Sequence, residues 1–269
     1  SDQGAVPARP HVFAMPPEVE QPVRQKKKQV GSSVPPTDEE IADGAFLELV
    51  DRGAHEEAIN LLKKGQQINV ADERGETPVH KATRRGDKDF VVQLLKLGAV
   101  ADYPDVDGVT PIMIAVQYGR SDLTQIFMQK EVDLQSKTRD GMSLLHTAVY
   151  SGHEDVIRSL LMDDKVCELL ETKDNNGRTP LQVASFRSSK EVCEMLVDAG
   201  ADFATRDKRG NTCATLAQRS GRRNSKDFFD RLANAGPGDN APDEPHAIPR
   251  RGSRDEALAN QAHRRTSRP

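Results

Sequence analysis

Four aspartates, Asp72, Asp105, Asp174 and Asp207, and two histidines, His80 and His146, have side chains of the types that suit hydrolytic or metal chemistry. Carboxylates ligate hard cations or move protons, and imidazole does both near neutral pH. Their spacing argues for a different role. Each aspartate stands three residues before a glycine in an Asp-x-x-Gly stretch, where a short side chain that accepts nearby backbone N–H groups builds a tight turn. The histidines occupy the same point in two copies of one longer motif, without the additional closely spaced ligands that a metal site needs. Cys167, Cys193 and Cys213 form no Cys-x-x-Cys pair, and Cys193 sits on an apolar helical stripe. No Ser/His/Asp order, phosphate-binding glycine loop or paired-carboxylate pocket remains outside the repeated motif. The sequence therefore reads as a chain with no catalytic residues, no metal and no cofactor, that is, not an enzyme.

One unit, copied along the chain, positions these residues. Between Asp72 and Asn211 the pattern Asp-x-x-Gly-x-Thr-Pro-(apolar)-x-x-Ala recurs with its glycine at Gly75, Gly108, Gly141, Gly177 and Gly210, at intervals of 33, 33, 36 and 33 residues. A period near 33 is that of stacked helix pairs, and such arrays bind partners more often than they catalyse. Thr in the motif is a good N-cap and Pro fits the first helical position, so a helix starts there. Ala82, Ala115, Ala148, Ala184 and Ala217 recur in phase and let the next helix layer approach closely. Gly86, Gly119, Gly152 and Gly221 follow four residues later, where the chain must reverse. Ser188 stands at that point in the fourth unit, whose helix-to-helix turn must be built differently. The three extra residues of the 36-residue interval fall between Leu161 and Thr172, and Met162 to Leu170 are expected to extend the second helix or lengthen the loop after it.

These motifs resemble the ankyrin-repeat family. Thr77-Pro78-Val79-His80-Lys81-Ala82 is the nearest copy of its Thr-Pro-Leu-His-x-Ala hallmark. The copies starting at Thr110, Ser143 and Thr179 degrade it progressively. The resemblance spans about Thr37 to Ala233 and implies an all-α solenoid of about six units, each two helices and a β-hairpin loop. The expected domain, 37–235, divides into an N-capping repeat at 37–71, repeats at 72–104, 105–137, 138–173 and 174–206, and a C-capping repeat at 207–235. The family also implies that His80 and His146 tie adjacent repeats together by hydrogen bonds to the backbone.

Flanking segments differ in composition. Residues 1–36 are Pro-rich and 236–269 are Arg-rich, and neither has enough apolar surface to offset its ordering entropy, so both are expected to lie outside the stack unless a partner holds them. The repeat body holds 27 Lys/Arg against 34 acids, a balance that argues against general nucleic-acid binding. No apolar run approaches the length of a membrane span. An odd, scattered set of cysteines favours a reduced intracellular setting, most simply the cytoplasm, with organellar import after N-terminal processing left open.

Partner-binding residues are sought between the recurrent Ala and Gly of each first helix, positions that line the groove in stacks this chain resembles. Arg84, Arg85, Gln117, Tyr118, Tyr150, Phe186 and Arg187 are the candidates, because aromatics flanked by arginines have the composition of an interface hot spot. The competing reading for Phe186 is packing against neighbours where the turn lacks glycine. Arg24 with Lys26-Lys27-Lys28 reads as a docking element, a localisation signal or a solvated charge run. Arg-Arg-x-Ser occurs at Arg222, Arg250 and Arg264 and resembles basophilic kinase sites. Ser253 and Ser267 are the candidate phosphorylation sites, whereas Ser225 precedes Lys226-Asp227-Phe228-Phe229 as a helix N-cap would. The function expected is non-catalytic protein binding as a structural subunit of an assembly. The alternative is a regulatory adaptor or inhibitor released by phosphorylation of the C-terminal tail. No small-molecule substrate is expected.

Overall fold

The structure, a computed structural model, describes residues 23–24, 38–130 and 132–234. Helices come in pairs: α1 (Asp38–Arg52) and α2 (His55–Lys63), α3 (Pro78–Arg85) and α4 (Lys88–Lys96), α5 (Pro111–Gln117) and α6 (Ser121–Gln129). Then follow α7 (Leu144–Ser151) and α8 (Glu154–Leu160) with the one-turn α9 (Asp164–Cys167), α10 (Pro180–Arg187) and α11 (Lys190–Asp198), and α12 (Cys213–Arg219) and α13 (Arg223–Asn234). The first helices α1, α3, α5, α7, α10 and α12 pack each on the next, and α6, α8, α11 and α13 form a second layer behind them.

Helix starts follow the motif. Thr77, Thr110, Ser143, Thr179 and Thr212 are extended N-cap residues, and the hydroxyls of Ser143, Thr179 and Thr212 accept the third backbone N–H of their helices. The apolar stripe of each helix meets those of its neighbours in one continuous seam. Phe90, Ile112, Leu123, Phe127, Leu144, Leu145 and Ile157 are fully buried in it. Each such side chain contributes about 2 kcal/mol of hydrophobic stabilisation.

Between units the chain forms hairpins, each closed by a bond such as Asp72 N–H to Glu76 O or Asp105 N–H to Val109 O. Their arms are too short to run a sheet, but the hairpins are stitched in series. Val106 N–H donates to Arg74 O, Arg139 N–H to Asp107 O, Asn175 N–H to Asp140 O and Lys208 N–H to Asn176 O. The glycines of the first four hairpins, Gly75, Gly108, Gly141 and Gly177, are each required where the next hairpin packs against them. At Gly108, φ is +77° and a Cβ would meet the Lys137 carbonyl oxygen at 2.5 Å.

Three details depart from the motif. Ser188 is extended rather than left-handed, its hydroxyl donates to Val149 O at 2.6 Å, and Ser189 caps α11 in the turn that follows. The insertion neither extends α8 nor makes an open loop. It folds as α9, capped by Asp163 and anchored by buried Val166, Leu169 and Leu170. Finally, part of the segment expected to lie outside the stack is laid along it: Val23–Arg24 (β1) pairs in parallel with Val70–Ala71 (β2), and Val70 and Ala71 are fully buried.

Candidate functional site: the inner groove

The turn aspartates are held by the hairpins. The Oδ1 of Asp72 accepts from Arg74 N–H and Glu76 N–H, and Asp105, Asp174 and Asp207 repeat the geometry, every distance lying between 2.8 and 2.9 Å. Where the third unit has Thr138 instead, its hydroxyl accepts from Met142 N–H. The hallmark histidines join neighbouring units. In the first unit Thr77 N–H donates to His80 Nδ1, and Nε2–H reaches across the seam to Val109 O at 3.1 Å. His146 does the same between Ser143 and Arg178 O, and Gln182 replaces imidazole in the fourth unit with bonds to Thr179 N–H, Thr205 O and Asn211 O. Burial pushes His80 down to about 4 and lowers His146 as well, so both are neutral at neutral pH. Met113 at this point of the second unit offers no such tie, and the buried hydroxyl of Thr110 is left without a partner.

The positions between Ala and Gly stand at the angle between helix layer and hairpin, as a contact eight residues long shows. Arg84 forms a two-armed bond with Glu76, the Arg178 guanidinium lies 5.3 Å from the centre of the Phe186 ring, and Arg219 donates to Asn211 Oδ1 at 3.1 Å. In each case a side chain from the end of the first helix meets one from the hairpin of its own unit. Burial tends to raise the Glu76 carboxyl, but the Arg84 pairing outweighs it and holds Glu76 below the usual carboxylate range. This is an inner groove, walled by hairpins on one side and first-helix ends on the other.

That groove belongs to a known architecture. The family model for ankyrin repeats (3 copies) matches residues 47–138 and 121–207, most of the described helix pairs. The chain belongs to the ankyrin-repeat family. It is also similar to diacylglycerol kinase iota from Mus musculus, 39% identical over 72 residues, and from Homo sapiens, 37% identical over 72 residues. These matches take in 26% of this chain and 7% of the kinases' length, so the activity in their name is a statement about those proteins. Ankyrin repeats in general mediate protein–protein interaction and are not catalytic.

Within the ankyrin groove the candidate residues divide. Tyr118 and Tyr150 are 46% and 49% exposed, large apolar side chains turned to solvent. Gln117 and Arg187 are exposed beside them, and the Arg187 guanidinium lies 4.0 Å above the Tyr150 ring. Phe186, expected to be equally exposed, is half-buried against the core and beneath Arg178. Arg84 is committed to Glu76. Arg85 bonds Asp87 and reaches back to Asp51 O, so it ties the capping pair to the first repeat.

Sequence reasoning missed the residues that fix this groove from behind. Arg120, His153 and Arg222 follow the inter-helix turns and reach back to carbonyls at the previous first helix's C-terminus: Arg85 O, Gln117 O, and the Phe186 and Arg187 carbonyls. The guanidinium groups of Arg120 and Arg222 at that end of a helix also complement its dipole. Their common register, one residue after the turn Gly in units two, three and five, was the available signal. Ser225 is corrected: α13 begins at Arg223, and Ser225 lies inside its first turn, 2% exposed and hydrogen-bonded to Cys193. Its place inside the helix removes it as a cap, and burial removes it as a kinase target. Ser253, Ser267 and the cluster Lys26–Lys28 lie outside the described residues.

Proposed function

We propose that this chain is a non-catalytic scaffold that binds a partner protein through the inner groove, as a structural subunit of a larger assembly. The observation that carries this reading is the exposed pair Tyr118 and Tyr150 with Arg187 stacked on Tyr150, on a frame in which Arg84, Arg85 and Phe186 of the same row are engaged by neighbouring groups. Exposed aromatics on rigid elements contribute to binding without paying for ordering. The free cysteines agree with a reducing, intracellular setting. Regulation by tail phosphorylation rests on Ser253 and Ser267 and gains no support from the described residues.

Affinity capture followed by mass spectrometry tests the proposal. The wild-type chain should bring down a fixed set of proteins at unit stoichiometry, and Tyr118→Ala with Tyr150→Ala should weaken the capture by about a hundredfold, as loss of two hot-spot residues would. Undiminished capture by a folded double variant would move the interface out of the groove, and a substoichiometric client would favour the regulatory reading.

A further inference from the structure

Basic side chains gather along the hairpins and first-helix ends of the C-terminal half of the stack. On the groove side, Lys173, Arg206, Lys208 and Arg209 of the hairpins and Arg187 and Arg219 of the helix ends are all exposed. None of the six forms an ion pair with a carboxylate among the described residues. Several are positioned by neutral groups instead: Lys208 Nζ donates to Asn175 O at 2.8 Å, Arg206 to Gly210 O at 2.9 Å, and Arg219 to Asn211. The nearby acids are already engaged, since Asp174 is buried against Arg178 and Asp207 accepts from its own turn and from the Asn211 amide, leaving Asp140 exposed at the hairpin before them. On α8, α11 and the loop between units, Glu154, Asp155, Glu168, Glu171 and Glu191 are exposed, outnumbering the exposed Arg158 and Lys165 there, and Glu194 pairs with Lys190.

We infer that this half of the groove docks an acidic polypeptide segment, whose carboxylates meet Arg187, Lys208, Arg209 and Arg219 and whose apolar side chain lies beside Tyr150. The inference rests on the groove reading above and adds the chemistry of the partner. Basic groups held in place by neutral acceptors keep their charge available and are already oriented, which is what recognition of carboxylates needs. A nucleic acid is the poorer fit. Its evenly charged backbone extends beyond the groove toward α8 and α11, which are acidic on balance, whereas a peptide within the groove is screened from them over a Debye length of about 8 Å.

The full chain is titrated with a fluorescein-labelled peptide of Glu and Leu, with its Lys-for-Glu counterpart, and with a single-stranded RNA of similar length. The Lys208→Glu, Arg209→Glu variant reverses two groove charges, and Lys96→Glu, Lys130→Glu reverses two exposed charges on α4 and just after α6, making the same change in net charge. The acidic peptide should bind, lose affinity about tenfold or more on groove reversal, weaken with salt, and be little affected by the outer reversal. Equal effects of the two reversals, no binding of the acidic peptide, or tighter binding of the lysine peptide or the RNA would overturn the proposal. The native partner separates the two readings. Capture that is lost with the tyrosine substitutions and retained on groove charge reversal leaves the groove assignment standing and the acidic-segment proposal refuted.

Discussion

At the residue scale, the histidines that a motif search would offer as ligands are seam fasteners, and their burial gives the stack a pH dependence of known sign. His80 in the folded chain titrates at about 4, below the ordinary imidazole value of 6.5. The unfolded chain therefore takes up the proton first as pH falls. Stability is fully present above about pH 6.5 and is lost as pH drops toward 4, by on the order of 3 kcal/mol for His80 alone, with His146 adding in the same direction. Gln182 already does this work without titrating. His80→Gln with His146→Gln should thus keep near-native stability at pH 7.5 and flatten the loss between pH 6.5 and 4 in urea denaturation. An unchanged pH slope would show that the acid sensitivity arises elsewhere.

At the scale of elements, a hairpin is constrained by the unit that follows it. Gly108 and Gly210 share a left-handed φ, +77° and +76°, but only Gly108 has the backbone of a next hairpin against it. Alanine at Gly210 should cost about 1 kcal/mol, the strain of positive φ alone, whereas Gly108→Ala should cost about 2 kcal/mol or more because Lys137 and Thr138 must also shift. Chemical denaturation of the two variants measures the difference, and equal losses would mean that the hairpin ladder is slack. The period, the helix starts and the turn aspartates were legible in the sequence because each depends on residues within one unit or on a repeated register, whereas the histidine ties, which cross the seam, came from the family resemblance. The Ser188 turn was legible only as a departure. Its solution, a hydroxyl bonded to Val149 O of the previous unit, depends on a contact 39 residues away. The same holds for β1 against β2 and for Arg178 over Phe186. Folding of the insertion as α9 depended on Val166 and Leu169 finding apolar neighbours, which local spacing does not specify. Of the candidate site, the exposure of Tyr118 and Tyr150 followed from register. The engagement of Arg84, Arg85 and Phe186 did not.

For the whole molecule, the stack presents a frame whose side chains are mostly bonded to one another, with Tyr118, Tyr150 and Arg187 exposed at the first-helix ends. Among the described residues no helix is long and apolar enough to cross a membrane. A groove built in this way can take a partner without rearranging, so binding should leave helix content unchanged and protect the groove alone. Hydrogen–deuterium exchange of the chain, free and in the captured complex, tests this most directly. Slowed exchange should concentrate at the first-helix ends around Tyr118, Tyr150 and Arg187 and in the hairpin around Lys208 and Arg209, with α6, α8 and α11 unaltered. Protection confined to those second-layer helices, with the groove exchanging as it does in the free chain, would contradict the assignment of the inner groove as the binding surface.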